Sequence, residues 1–126
     1  MLGCTGGAGG LFTAGRTGAA DGSGLGGGGV AYSAAKAAQL GFARALAREL
    51  GPTGVTVNSV APGLINTGIT GEVLEGEREA QAAAGILVGR TGNVNDVADL
   101  ITYLCRAESG YITGATYDVN GGSHIH

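Results

Sequence analysis

Residues 30–63 have the sequence VAYSAAKAAQLGFARALARELGPTGVTVNSVAPG, and the fold class follows from its pattern. Most of the first 21 residues are good helix formers, chiefly alanine, leucine and arginine. Apolar side chains recur among them at helical spacing, at Leu40, Ala43, Leu46, Ala47 and Leu50. The pattern predicts a helix over residues 30–50, which Gly51 and Pro52 bring to an end.

The chain that follows this helix alternates strand and helix patterns. Residues 55–60 are β-branched and predict a buried strand followed by a turn. Residues 72–84 have a helical composition interrupted by glycines, which is typical of a mobile flap. A helix capped by Asn93 is predicted to run to about Cys105, and residues 115–119 form a last strand. This order predicts an α/β fold with a parallel sheet covered by helices, although two strands alone make a poor sheet.

Glycine divides the chain between Gly29 and Val30. Of the 27 glycines, 13 lie in residues 1–29 and 14 in residues 30–126. A segment so rich in glycine cannot offset its backbone entropy by burying side chains, so we expect residues 1–29 to be flexible or aberrant. Two G-x-G-x-x-G matches lie there, but chance supplies about two in such a segment and neither follows a hydrophobic strand.

Size and charge exclude several classes of protein. A chain of 126 residues supports one compact domain, and a net charge of −3 with a single lysine excludes an electrostatic nucleic-acid binder or a basic membrane-surface protein. The sequence has no apolar run of ~18 residues and no signal-peptide pattern, which predicts a cytoplasmic protein in which Cys4 and Cys105 are reduced thiols. No metal site is predicted, because His124 and His126 lack carboxylate or cysteine partners.

Tyr32 and Lys36 are the candidate catalytic residues. They lie four positions apart in the predicted helix, so their side chains emerge on one face. An ammonium group beside a phenol favours the phenolate and lowers a pKa that is ordinarily near 10. Such a tyrosine can donate a proton to a carbonyl oxygen or accept one from an alcohol. Taken alone, the spacing fits a surface pair better.

Three ordered blocks change this interpretation. They are Tyr32-Ser33-Ala34-Ala35-Lys36, residues 55–67 with the sequence VTVNSVAPGLINT, and residues 110–122 with the sequence GYITGATYDVNGG. Over about residues 30–122 the chain resembles the C-terminal half of a classical short-chain dehydrogenase/reductase, and within that family the 3-oxoacyl-acyl-carrier-protein reductases. The resemblance implies a partial Rossmann-like fold, a doubly wound parallel sheet whose N-terminal half is missing. It also implies NAD or NADP as cofactor, a small carbonyl or alcohol substrate, and a homo-oligomer.

The resemblance also implies roles for individual residues. Tyr32 would be the acid/base, and Lys36 would lower its pKa and bind the nicotinamide ribose. Both would therefore contact cofactor. The other residues implied to bind the nicotinamide half of the cofactor are Pro62, Gly63, Ile65 and Thr67. For Pro62 and Gly63 a plain turn is an equally good interpretation, and Asn58 is interpreted as structural.

The chain departs from the family pattern upstream of Tyr32. The catalytic serine of the family would lie thirteen residues before the tyrosine, where this chain has Ala19, and Ser23 lies only nine residues before it. Residues 5–11 resemble the glycine-rich cofactor motif, but Phe12 stands where its last glycine belongs. We therefore expect a truncated oxidoreductase with little or no activity. The alternative is a non-catalytic module that binds or oligomerises through the helices at 30–50 and 93–105.

Overall fold

The computed structural model describes residues 2–4, 10–14, 30–68 and 73–125. Within these ranges the chain forms four strands and three α-helices. In chain order they are β1 (Leu2–Cys4), β2 (Gly10–Ala14), α1 (Val30–Leu50), β3 (Thr56–Pro62), α2 (Gly76–Ala83), α3 (Val94–Leu104) and β4 (Thr116–Val119). Single 3₁₀ turns at Gly51–Thr53 and Ala107–Ser109 follow α1 and α3.

The described strands form one sheet in the order β1-β2-β3-β4. β2, β3 and β4 are parallel, with Leu11 opposite Val57 and Val60 opposite Tyr117, whereas β1 is antiparallel to β2. The predicted parallel sheet is therefore confirmed. The strands β1 and β2 lie in the glycine-rich residues 1–29, for which the sequence predicts no strand. They form there because the pairing of strands uses backbone groups and does not require bulky side chains.

Strand β3 is covered on both faces. Its residues from Thr56 to Ala61 are all buried. On one face Val57 packs with Ala43 and Ala47 of α1. On the other face Val60 packs with Leu104, the last residue of α3. The cover on both faces buries the polar residues Thr56, Asn58 and Ser59 together with Val57, Val60 and Ala61.

The helix bounds agree closely with the pattern of the sequence. α1 has the predicted bounds, because Gly51 and Pro52 start a 3₁₀ turn that closes at Gly54, where φ is 82° and the amide donates to the Gly51 carbonyl. α3 begins after Asn93 as predicted. α2 is shorter than the predicted 72–84, since Gly76 has a φ of 56° at its first position.

Asn58 ties β3 to the chain that leads into β4. Its side chain is buried, Nδ2 donates to the Ile112 carbonyl at 2.8 Å, and Oδ1 accepts from the Ala115 amide at 3.2 Å. Beside it, the Val57 amide donates to Thr113 Oγ1 at 3.0 Å. These bonds extend the pairing of β3 to the residues that precede β4. The interpretation of Asn58 as a structural residue is confirmed.

The described residues bear on two other features considered from the sequence, the cysteines and the membrane spans. Cys105 is disulfide-bonded, so the prediction of a reduced thiol is wrong for this residue. No described helix is both long and apolar enough to cross a membrane. The flexibility predicted for residues 1–29 falls mostly on positions outside the described ranges.

Replacing Asn58 by alanine is expected to lower the free energy of unfolding by about 2–4 kcal/mol, because the half-buried carbonyl of Ile112 and amide of Ala115 lose their partner. The measurement is urea unfolding followed by circular dichroism. Asn95, which is exposed on α3, provides the matched control, and Asn95→Ala is expected to change the value by less than about 0.5 kcal/mol. Equal unfolding midpoints for Asn58→Ala and wild type would contradict this role.

Candidate active site at the carboxyl end of the sheet

The predicted cofactor residues follow β3 at the end of the sheet where its parallel strands finish. Pro62 is the last residue of β3 and pairs with Val119, the last residue of β4. Gly63, Ile65 and Thr67 come directly after it. In open parallel sheets, ligands bind outside the carboxyl ends of the strands. The position of these residues in the fold is therefore that of a ligand-binding edge.

Tyr32 and Lys36 lie together near the beginning of α1. Lys36 Nζ is 5.5 Å from the centroid of the Tyr32 ring and donates to Gln39 Oε1 at 3.3 Å. Tyr32 retains 42% of its accessible surface. A cation over an aromatic face at this distance is attracted to the ring. The predicted pairing on one helix face is thus present.

The chain topology directs the start of α1 toward the same edge of the sheet. Residues 51–55 reverse the chain between α1 and β3, and Ala43 and Ala47 pack on Val57 near the beginning of β3. α1 and β3 therefore run in opposite directions, so helix residues before Ala43 extend toward the carboxyl end of β3. A helix rises 1.5 Å and a strand about 3.3 Å per residue. From these directions we expect Tyr32 and Lys36 on the side of the sheet end where Pro62 lies.

Gly63 lies where two chain segments approach closely. A Cβ built on it would be 2.7 Å from Asn120 Cα and 2.8 Å from Asn120 Cβ. The Gly63 amide donates to the Val119 carbonyl at 3.0 Å, which extends the β3–β4 pairing by one bond. Packing alone therefore requires glycine here.

Ile65 forms a one-residue parallel bridge with Gly92. Gly92 donates to the Leu64 carbonyl at 2.9 Å and accepts from the Asn66 amide at 2.8 Å. In a parallel bridge of this pattern, the amide and carbonyl of the central residue point away from the partner. Those two groups of Ile65 have no hydrogen bond among residues 30–68 and 73–125.

Gly92 is held in place by a charged turn before α3. Arg90 binds Asp96 through two bonds, Nη1 to Oδ2 at 2.7 Å and Nη2 to Oδ1 at 2.8 Å. Asp96 Oδ2 also accepts from the Asn93 amide at 2.7 Å, while Asn93 Oδ1 accepts from the Asp96 amide, which completes a capping box. The Arg90 guanidinium and the Asn93 amide hold the pKa of Asp96 well below its ordinary value. The same pairing raises the pKa of Arg90.

Helix α2 is attached to this turn by a further bond. The hydroxyl of the buried Thr91 donates to Glu79 Oε1 at 2.8 Å. The turn after β3, the helix α2 and the start of α3 are consequently joined through residues 91 and 92.

Asn66 is a site residue that the sequence did not indicate as a candidate. Its Nδ2 donates to the Leu74 carbonyl at 2.8 Å, and its Oδ1 accepts from the Leu74 amide, also at 2.8 Å. Asparagine outside regular structure commonly bonds nearby backbone, but the sequence does not say which residue it reaches.

The turn after β4 follows Val119, the residue that pairs with Pro62. Gly121 and Gly122 have φ of 63° and 80°, and a Cβ on Gly121 would lie 2.6 Å from Ile86 and 2.8 Å from Val88. The Val88 amide donates to the Gly121 carbonyl at 3.1 Å. These glycines allow the chain at 86–88 to pack directly on the turn.

Residues 30–68 and 73–125 contain no cluster of three histidine, cysteine, aspartate or glutamate side chains able to hold a metal. The positions considered for the serine, Ala19 and Ser23, lie outside the described residues, as do residues 5–9 of the glycine-rich motif.

Comparison with known proteins agrees with the sequence motifs. A family model described as Enoyl-(Acyl carrier protein) reductase matches residues 12–124. The chain belongs to the short-chain dehydrogenase/reductase family. The match extends upstream of residue 30, into β2. Members of this family are NAD(P)-dependent oxidoreductases, the class that the motifs implied.

Curated relatives of this short-chain dehydrogenase/reductase are about two and a half times as long as the segment they share with it. The chain is 52% identical over 99 residues to the uncharacterized short-chain type dehydrogenase/reductase y4mP of Sinorhizobium fredii, covering 79% of this chain and 39% of the relative. It is 47% identical over 94 residues to the 3-oxoacyl-acyl-carrier-protein reductase FabG of Pseudomonas aeruginosa, covering 75% and 38%. The chain thus spans about two fifths of the length of these relatives.

Solved structures show the same partial overlap. A blue fluorescent protein from a metagenomic library, in complex with NADPH, aligns with a TM-score of 0.75 and 33% identity over 94% of this chain and 46% of its own. A short-chain dehydrogenase/reductase from Serratia marcescens aligns with a TM-score of 0.76, 33% identity and the same coverage. The predicted partial Rossmann-like fold is confirmed.

Replacing Asp96 by asparagine is expected to lower the melting temperature at pH 7. The difference from wild type should shrink as the pH falls below about 4, because a carboxyl whose pKa is lowered on folding contributes fully only above its unfolded pKa and loses that contribution progressively as the pH falls toward its folded pKa. The measurement is thermal unfolding at pH 7 and pH 3, with Asp99→Asn, on an exposed position of the same helix, as control. A difference that is independent of pH would contradict the assignment.

Proposed function

We propose that this chain supplies the nicotinamide end and the acid/base pair of an NAD(P)-dependent oxidoreductase. The reaction is the reduction of a small carbonyl compound, or the oxidation of an alcohol, by hydride transfer. The observation that supports it is the Lys36 ammonium group, 5.5 Å from the centroid of the Tyr32 ring, on a helix that packs on β3 through Ala43 and Ala47.

Tyr32 is the proton donor in the direction of carbonyl reduction. When bound, NAD(P)H supplies the hydride, and the proton needed by the carbonyl oxygen leaves the Tyr32 hydroxyl. Negative charge then develops on the phenol oxygen, one helix turn from the Lys36 ammonium group, which stabilises it. The exposure of Tyr32 keeps its hydroxyl accessible to a substrate.

The residues after β3 fit a nicotinamide carboxamide. This group has an NH₂ donor and a carbonyl acceptor, which match the carbonyl and the amide of Ile65, and both Ile65 groups have no partner among the described residues. The Thr67 hydroxyl adds an exposed polar group two residues on. Pro62 and Gly63 shape the turn beneath them, and Lys36 is the cation assigned to the nicotinamide ribose.

We further propose that residues 30–126 correspond to the C-terminal half of such a domain, and that the chain by itself has little activity. Ala19 cannot donate the hydrogen bond that a serine hydroxyl gives to a substrate carbonyl, and a lost donor of this kind costs about 10²–10³ in rate. The share of the relatives that the chain spans supports the same proposal. A cytoplasmic location and a homo-oligomer stay predictions.

A binding or oligomerisation module is the second candidate function. Val30 retains 90% of its surface and Phe42 retains 52%, so α1 presents apolar side chains to solvent at its start and near its middle. Such faces favour self-association. Sedimentation as a dimer or larger species without any nicotinamide binding would favour this candidate over the first.

Binding of reduced nicotinamide mononucleotide tests the first candidate. Titration followed by amide NMR should shift the resonances of Ile65 and Thr67, and Lys36→Gln should raise the Kd about fivefold or more, since one charge-assisted contact is lost. Arg44→Gln removes a positive charge from an exposed position of the same helix and should leave the Kd unchanged. Equal effects of the two variants would indicate only a general loss of charge.

Carbonyl reduction with NADPH is expected not to exceed the blank rate for the wild-type chain. The physical reason is the missing serine hydroxyl at position 19. The measurement is NADPH consumption at 340 nm with a 3-oxoacyl thioester. A rate clearly above the blank that Tyr32→Phe abolishes would contradict the proposed inactivity and support the proposed acid/base.

A further inference from the structure

We propose that Asn66 is a positioning residue for the nicotinamide end of the site. Its carboxamide ties the chain after β3 to the chain before α2, and this attachment fixes the neighbouring residues Ile65 and Thr67. The inference deepens the proposed function and rests on it.

The bonds of the Asn66 side chain form a matched pair. Nδ2 donates to the carbonyl of Leu74 and Oδ1 accepts from the amide of the same residue, each at 2.8 Å. This is the two-bond exchange that opposite residues make in a hydrogen-bonded antiparallel pair. The Asn66 side chain therefore makes the same two bonds to Leu74 that the backbone of a neighbouring strand would make. Aspartate would keep only the acceptor and alanine neither group.

The backbone of Asn66 is fixed as well. Its amide donates to the Gly92 carbonyl at 2.8 Å, beside the bridge between Ile65 and Gly92. One residue thus joins three segments: the end of β3, the residue two before α2, and the turn before α3. The half-buried position of Asn66 strengthens these bonds, since less water competes for them.

Fixing Asn66 orders the two residues that flank it. Ile65 presents an amide and a carbonyl that have no partner in the part of the chain that the structure describes, and Thr67 is exposed. A ligand that binds such a segment loses affinity if it must first order the backbone, and a segment ordered in advance avoids that cost. Asn66 therefore acts on cofactor affinity through its neighbours without touching the cofactor.

The experiment measures the Kd of reduced nicotinamide mononucleotide for the whole chain by amide NMR. Asn66→Ala is expected to raise the Kd about tenfold, because two hydrogen bonds that order the segment are lost. Asn66→Asp should have a smaller effect, since it keeps the acceptor for the Leu74 amide. Asn95→Ala is the matched control and should bind like wild type.

A double variant separates positioning from a general loss of stability. In a chain that already carries Thr67→Ala, the addition of Asn66→Ala should raise the Kd by less than twofold. The reason is that the contact of the Thr67 hydroxyl with the ligand, which Asn66 is proposed to position, is already lost. Hydrogen exchange of the Leu74 amide should become faster in Asn66→Ala with or without ligand. Should Asn66→Ala fail to fold, Asn66→Asp serves in both measurements.

The possible results are distinguishable. Wild type that binds, with Asn66→Ala binding equally well, overturns the inference and leaves the proposed function standing. Full additivity of Asn66→Ala and Thr67→Ala also overturns it, since Asn66 then acts independently of the residue it is said to position. Wild type that shows no binding overturns the proposed function and the inference together.

Discussion

The burial of β3 is the constraint on which the rest of the structure depends. Thr56 to Ala61 are buried on both faces, and both strand edges are hydrogen-bonded, to β2 and to β4. A strand enclosed in this way has its direction and register fixed, because a slip of one residue would exchange its two buried faces. Helix α1 packs on one face and α3 on the other, so each helix that contributes to the site takes its position from this strand.

The residues that follow β3 in the candidate site are held in position by close contacts with two other segments. Gly63 lies against Asn120, and Gly92 lies against the Ile65 side chain, where a Cβ built on Gly92 would be 2.5 Å from Ile65 Cδ1. The contact at Gly63 is with backbone and requires the absence of a side chain, whereas the contact at Gly92 is with the end of a flexible side chain. Arg90 and Asp96 then hold Gly92 from the side of α3. The segment is thus fixed by the strand, by the turn after β4 and by the turn before α3.

The sequence predicted the parts of the fold whose signals are local. The bounds of α1 follow from helix formers ended by Gly51 and Pro52, and the start of α3 follows from Asn93. The pairing of Tyr32 with Lys36 follows from their spacing. What it could not predict depends on contacts distant in sequence: β2 forms because its backbone pairs with β3, and Gly63 is required because Asn120 lies beside it. Asn66 was overlooked for the same reason, since its type indicates a backbone bond but not the partner Leu74.

The two parts of the candidate site differ in what holds them. The segment from Pro62 to Thr67 is fixed by contacts to residues 74, 92, 119 and 120, all within the described C-terminal part of the chain. The beginning of α1 is different, because Val30 and Tyr32 are exposed and the buried helix residues are Ala43 and Ala47, three turns or more further on. The cofactor-binding segment therefore has its own structural support. The acid/base pair depends on the stiffness of a helix anchored at its other end, so its position is the more sensitive of the two to whatever packs against the first half of α1.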